Sequence, residues 1–170
     1  MFERMRGIWT KAIEPLVLKM GNLDPSILTW TSLILALGAF WLISGAALDN
    51  NGAIMIGVSV LLILLAGVLD ALDGALARHQ GVAGPYGDFL DHTIDRVVDV
   101  GLLIAIGMNA TFVSDPSSGA VAAVLTLFGS YMGTQAQSVG LDRIYGGFGR
   151  ADRMVLTVAC LVAASWQAYS

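Results

Sequence analysis

Four aspartates carry the chemistry this sequence is able to do. Asp70 and Asp73 are spaced i, i+3, and Asp91 and Asp95 are spaced i, i+4, so each pair shares one face of a helix. A Gly- and Pro-containing stretch, Gly81 to Gly87, separates the pairs. So short a loop makes the two helices antiparallel neighbours, and the four carboxylates converge. Ionised carboxylates at one spot repel, and burying them beside lipid is costly. Divalent metal relieves both penalties. All-oxygen ligation suits Mg²⁺ or Mn²⁺, and four acids are enough for two ions. Two metals a few ångströms apart clamp the attacking and leaving oxygens of a displacement at phosphorus, which predicts phosphoryl or phosphodiester transfer. Gly74 removes a side chain next to Asp73 where a ligand approaches. Arg78, one turn on, offers phosphate a planar fork, and Gly84 and Gly87 are expected to permit the tight return.

The elements that position these acids are apolar. Hydrophobic residues make up 56% of the 170, charged residues only 13%, and the mean hydropathy is +0.73. A soluble domain carries about 25% charge and about 45–50% apolar residues, so the chain is displaced towards the membrane class. Ile27 to Leu48 is an uncharged run. It is long enough alone to cross a hydrocarbon core of about 30 Å, which takes roughly 20 helical residues. The run from Ala53 to Leu69 reaches that length only by continuing into Asp70 and Asp73. Five apolar segments are read, at 27–48, 53–77, 88–112, 118–139 and 152–168, separated by Asp49–Gly52, Gly81–Gly87, Ser114–Ser118 and Gly140–Gly149. Ahead of them, Arg4, Arg6, Lys11 and Lys19 alternate with Phe2, Met5, Ile8, Trp9, Ile13, Leu16 and Val17 at helical spacing. That pattern predicts an amphipathic helix lying in the membrane interface over 1–22. Asp24-Pro25-Ser26 reads as a turn that starts the next helix. The expected fold is an all-α integral membrane protein: an interfacial helix, then five transmembrane helices over 27–168. With no repeat or long linker, residues 1–170 form a single domain.

Charge sets the expected orientation. Of the nine Lys and Arg residues, four precede the first helix, Arg78 and Arg96 flank the second break, and Arg143, Arg150 and Arg153 fall at the fourth. The breaks near 50 and 115 have none. The N-terminus, the 78–87 loop and the 140–153 loop are therefore expected in the cytoplasm, with the aspartates at the cytoplasmic face of the cell membrane. A basic, Trp-containing stretch before the first apolar run argues against a cleaved signal peptide. Cys160 is the lone cysteine, so there is no internal disulfide and the compartment stays open. The net charge of −4 gathers largely in the aspartate motif, which reads as ligands, and no nucleic-acid partner is expected.

The full spacing, Asp-x2-Asp-Gly-x2-Ala-Arg-x8-Gly-x3-Asp-x3-Asp, resembles the signature of the CDP-alcohol phosphotransferase family (class I CDP-alcohol phosphatidyltransferases). Asp70, Asp73, Gly74, Ala77, Arg78, Gly87, Asp91 and Asp95 fill every position. The likeness extends to the amphipathic leader and to Pro25-Ser26-x-x-Thr29. It implies a metal site of Asp70, Asp73, Asp91 and Asp95, and a CDP site of Asp70, Gly74, Ala77, Arg78 and Gly87. A CDP-linked lipid places its pyrophosphate on two metals, Asp95 acts as general base on the acceptor hydroxyl, and CMP leaves. Members generally have six membrane helices, against the five segments read here. Ser130–Gln137 and Gly149–Arg153 are similar to the inositol-phosphate-using branch, which usually carries an Arg and a Glu where this chain has Gln135 and Gln137. Arg143, Arg150 and Arg153 are candidate contacts to a phosphorylated acceptor, with positive-inside topology and lipid headgroups as the plain alternative. Glycerol phosphate is the rival acceptor.

Other polar residues are read more modestly. Asp99 either orients a ligand or pairs with Arg96, whereas Asp88 and His92 fall off the ligand face. Gly129-x3-Gly133 lets helices approach closely, within the chain or in a homodimer. Acids in membrane helices also mark cation transporters, and acids paired with arginines occur in assembly proteins. Divalent-dependent CMP binding separates the transferase from both.

Overall fold

The computed structural model of the chain describes residues 15–141 and 150–169. The expected interfacial helix falls mostly outside them, as does Arg143, and Arg150 is described in its backbone only. The described chain is all helical, as expected: α1 (Pro25–Gly45), α2 (Asn50–Gln80), α3 (Pro85–Met108), α4 (Ser117–Ser138) and α5 (Arg150–Tyr169), with no strand among the described residues.

Helix ends follow local capping chemistry. The Asp24 carboxylate accepts from the Ser26 amide at 2.9 Å, and Pro25 opens α1. The Asp49 carboxylate accepts from the Gly52 amide at 2.6 Å, which draws Asn50–Gly52 out of the expected break and into α2. Pro85 opens α3 in the same way, so the second loop is shorter than the sequence implies. The tight return comes from neither Gly84 nor Gly87. Gly84 is extended (φ −169°), Gly87 lies within α3, and the turn is made by Gly81 (φ 70°), whose amide donates to the Ala77 and Arg78 carbonyls. A left-handed residue after the last helical turn strongly favours glycine. Before α4, the Asp115 carboxylate accepts from the Ser117 hydroxyl at 2.6 Å and its amide at 2.9 Å, which holds it below the usual carboxylate range.

Among the described residues, two helices, α1 with 21 residues and α2 with 31, are long and apolar enough to cross a membrane. At 1.5 Å per residue α2 is about 46 Å long, so it outruns a core of about 30 Å and can carry its acidic last turns towards water. The core joins Ala36, Ala39, Phe40 and Ile43 of α1 to Ile56, Ile63 and Ala66 of α2, and to Ile94, Val98 and Leu102 of α3. Large apolar residues such as Ile34, Trp41, Ile54 and Leu61 point outwards, a pattern suited to lipid rather than water.

α1 packs on α2 and α3, α4 on α3, and α5 on α2. The α3–α4 crossing depends on glycine: a Cβ on either Gly107 or Gly119 would lie 2.6 Å from the other's Cα. Nearby, the buried Asn109 donates to the Ile43 carbonyl at 2.5 Å and the Ala46 carbonyl at 2.9 Å, and accepts from the Thr111 amide at 2.8 Å. It ties the end of α1 to the end of α3. Gly129 and Gly133 behave differently. Nothing lies within 4 Å of a Cβ built on either, so the pair flagged by the sequence is not an internal packing seam among the described residues.

Candidate active site

The starts of α1 and α3 meet the end of α2 around a cleft of about 550 Å³. Asp70 and Asp73 arrive from the last third of α2 and Asp91 and Asp95 from the first half of α3, and all four line the cleft. The antiparallel convergence expected from the spacing is present. One carboxylate oxygen each from Asp70, Asp73 and Asp91 lie within 4.8 Å of one another. Asp73 and Asp95 are buried, and Asp70 and Asp91 are half-buried.

Three carboxylates this close repel strongly in a partly desolvated site. An all-oxygen donor set of this size, open to a cleft, fits a hard divalent cation such as Mg²⁺ or Mn²⁺. The sequence does not foretell that Asp73 is steadied from α1. The buried Thr29 hydroxyl donates to Asp73 Oδ2 at 2.5 Å, which fixes one oxygen of the carboxylate. Forty-four residues separate the two, and the only local signal was a threonine one turn into a helix.

The CDP-site candidates Gly74, Ala77, Arg78 and Gly87 also line the cleft. Arg78 folds back along its helix, so that a Cβ on Gly74 would lie 3.3 Å from Arg78 Nη1. Glycine here makes room for the guanidinium. Asp88, expected off the ligand face, reaches the cleft lining. His92 is exposed, with Nδ1 3.6 Å from Asp91 Oδ2, and its ring nitrogen, Asp91 and Asp95 form a second group of ligand atoms within 4.8 Å.

Below the cleft lies a charged network. Arg96 Nη2 is 3.7 Å from Asp95 Oδ2, Arg96 Nη1 is 3.4 Å from Asp99 Oδ2, and Arg96 Nη1 also donates to the Ser130 hydroxyl of α4. Arg153 Nη2 is 3.6 Å from the same Asp99 oxygen. Of the three candidate acceptor contacts, Arg153 is therefore placed against α3, one turn below Asp95.

A helical bundle with two membrane-length helices and a carboxylate cleft at one end defines a class: a membrane protein whose acids suit metal-assisted chemistry at phosphorus. Comparison with known proteins makes it specific. The family model for CDP-alcohol phosphatidyltransferase matches residues 22–169, and the chain belongs to that family. It is a CDP-alcohol phosphotransferase, an enzyme of phospholipid biosynthesis. An archaetidylinositol phosphate synthase from Aeropyrum pernix is 34% identical, over 94% of this chain and 79% of the relative. A second, from Methanothermobacter thermautotrophicus, is 30% identical over 94% of this chain and 76% of its own length. A phosphatidylinositol phosphate synthase from Cutibacterium acnes is 28% identical over 95% and 77%. No solved structure matches the chain.

Proposed function

We propose that this enzyme transfers the lipid phosphate of a CDP-linked lipid, carrying a phosphatidyl or archaetidyl group, to a hydroxyl of inositol phosphate and releases CMP. The observation that carries the reading is the convergence of the Asp70, Asp73 and Asp91 carboxylates, with Asp95, in a cleft also lined by Gly74, Ala77 and Arg78. Asp70, Asp73, Asp91 and Asp95 would hold two divalent cations, which when bound supply positive charge to a diphosphate and its leaving group. The remaining work falls to the chain itself. Arg78 offers its guanidinium to the nucleotide phosphates. Asp95 takes the acceptor hydroxyl proton as that oxygen bonds to the lipid-bearing phosphorus, and the bond from this phosphorus to the CMP oxygen breaks. Gly74, Ala77 and Gly87 present little bulk to the nucleotide.

The acceptor assignment is supported by the inositol phosphate synthase relatives and by Arg153 beside α3; Arg143 and Arg150 complete the proposed acceptor set. Gln135 and Gln137 depart from that branch, so glycerol phosphate is kept as the competing acceptor. We place the cleft at the cytoplasmic face of the cell membrane, read all five described helices as crossing it, and take residues 1–170 as one domain with an interfacial leader. The open Gly129–Gly133 face suits a second copy of the chain.

The test is CMP release from a CDP-linked lipid against a panel of acceptors, with and without Mg²⁺. Release that needs both Mg²⁺ and inositol phosphate is expected. Release with glycerol phosphate alone moves the acceptor assignment to the rival, and metal-independent release removes the mechanism.

A further inference from the structure

We propose that Asp99 is a positioning residue for the acceptor: its buried carboxylate holds Arg96 and Arg153 in register beneath Asp95. This rests on reading Arg153 as a contact to the acceptor phosphate. Asp99 lies four residues after Asp95 on α3, about 6 Å deeper along the helix, and its side chain is only 6% exposed. One oxygen, Oδ2, faces both guanidinium groups, at 3.4 Å from Arg96 and 3.6 Å from Arg153. Arg96 extends the link to Ser130 on α4 and to Asp95 itself. A single carboxylate thus joins α3, α4 and α5 at the floor of the site.

The charge arithmetic favours positioning. Two guanidinium groups converging on one point would repel without an anion between them. At these separations the contacts are ion pairs with long hydrogen-bond geometry, so they fix where the cations sit without exhausting their donors. A guanidinium has five N–H donors, and the Arg153 side chain is 36% exposed while it meets Asp99 through Nη2. Arg153 therefore keeps capacity for a phosphate, and Asp99 decides where that capacity points. The donor nucleotide, whose candidate contacts lie on α2 and the start of α3, does not depend on this link.

The experiment uses the full chain with CDP-diacylglycerol or its ether analogue, whichever is turned over, and inositol phosphate as the varied acceptor. CMP binding in the presence of Mn²⁺ is measured alongside. Asp99→Asn should raise the acceptor KM about 10-fold while CMP affinity stays within about 2-fold. Added to Arg153→Ala, it should raise that KM no further, because both act through one contact. An unchanged acceptor KM overturns the proposal, as does a matching loss of CMP binding or a multiplicative effect in the double variant. Should Asp99→Asn not fold, Asp99→Glu keeps the charge but moves it. That variant should raise the acceptor KM with CMP binding intact, and an unchanged KM overturns the proposal equally. Arg153→Ala with unchanged KM sinks the acceptor reading, and Asp99's role with it. Arg153→Ala with raised KM beside a silent Asp99→Asn sinks the Asp99 inference alone.

Discussion

The two ends of the bundle handle their polar groups in opposite ways. At the far end, Asn109 spends its amide on the Ile43 and Ala46 carbonyls and on the Thr111 amide, Asp49 and Asp115 cap helices, and Gly107 and Gly119 bring α3 and α4 into contact. Each of these groups answers another in the chain, and the result is a closed joint. At the near end, Asp70, Asp73, Asp91 and Asp95 line an open cleft, with one oxygen from each of the first three within 4.8 Å of the others. Like charges gathered beside open space are the signature of a site rather than a joint. The chain tolerates them because the acids sit where α2 has outrun the apolar core, next to Arg78 and above Arg96.

That contrast can be broken at either end. The largest effect is expected at Asp95. Asp95→Asn should lower turnover by about 10²–10⁴-fold, with CMP binding much less affected. Parallel assays of CMP release and CMP binding check this, and a variant retaining turnover would remove the base. Next comes the support from α1. Thr29→Val removes the donor that fixes Asp73, and divalent affinity should fall about 10–100-fold while Thr29→Ser restores most of it. Titration with Mn²⁺ followed by electron paramagnetic resonance reads that affinity without turnover. At the closed end, Gly107→Ala should cost about 1–3 kcal/mol by overpacking, visible as a lowered Tm in detergent with metal affinity unchanged. Smallest is Gly129→Ala, which enters open space and should leave stability within about 1 kcal/mol of the parent. A Gly129→Ala loss as large as that of Gly107→Ala would mean this face is packed against something, a second copy being the first candidate.

Much of the candidate site is legible in the sequence because its logic is local. Spacings of three and four residues put each aspartate pair on one helix face, and a short loop forces the faces together. The five helices are equally legible from apolar segments and Gly/Pro breaks. What escaped was either non-local or a matter of degree. No spacing reveals that Thr29 serves Asp73 across 44 residues, or that Arg153 and Arg96 share Asp99. Gly129-x3-Gly133 has the familiar spacing on one helix but meets nothing within the described chain, whereas the internal close approach, Gly107 to Gly119, is split between two helices and has no spacing to mark it. Spacing alone points to Gly84 and Gly87 rather than Gly81, because only the backbone shows which of the three turns left-handed.

The central claim is that Asp70, Asp73, Asp91 and Asp95 share bound cations rather than relieve their repulsion by protonation. Counting Mn²⁺ bound per chain in the presence of CMP, for the parent and for Asp91→Asn, tests it most directly. Two tightly held ions in the parent and a loss of binding in Asp91→Asn are predicted. A parent that binds CMP yet holds no divalent ion at neutral pH would contradict it.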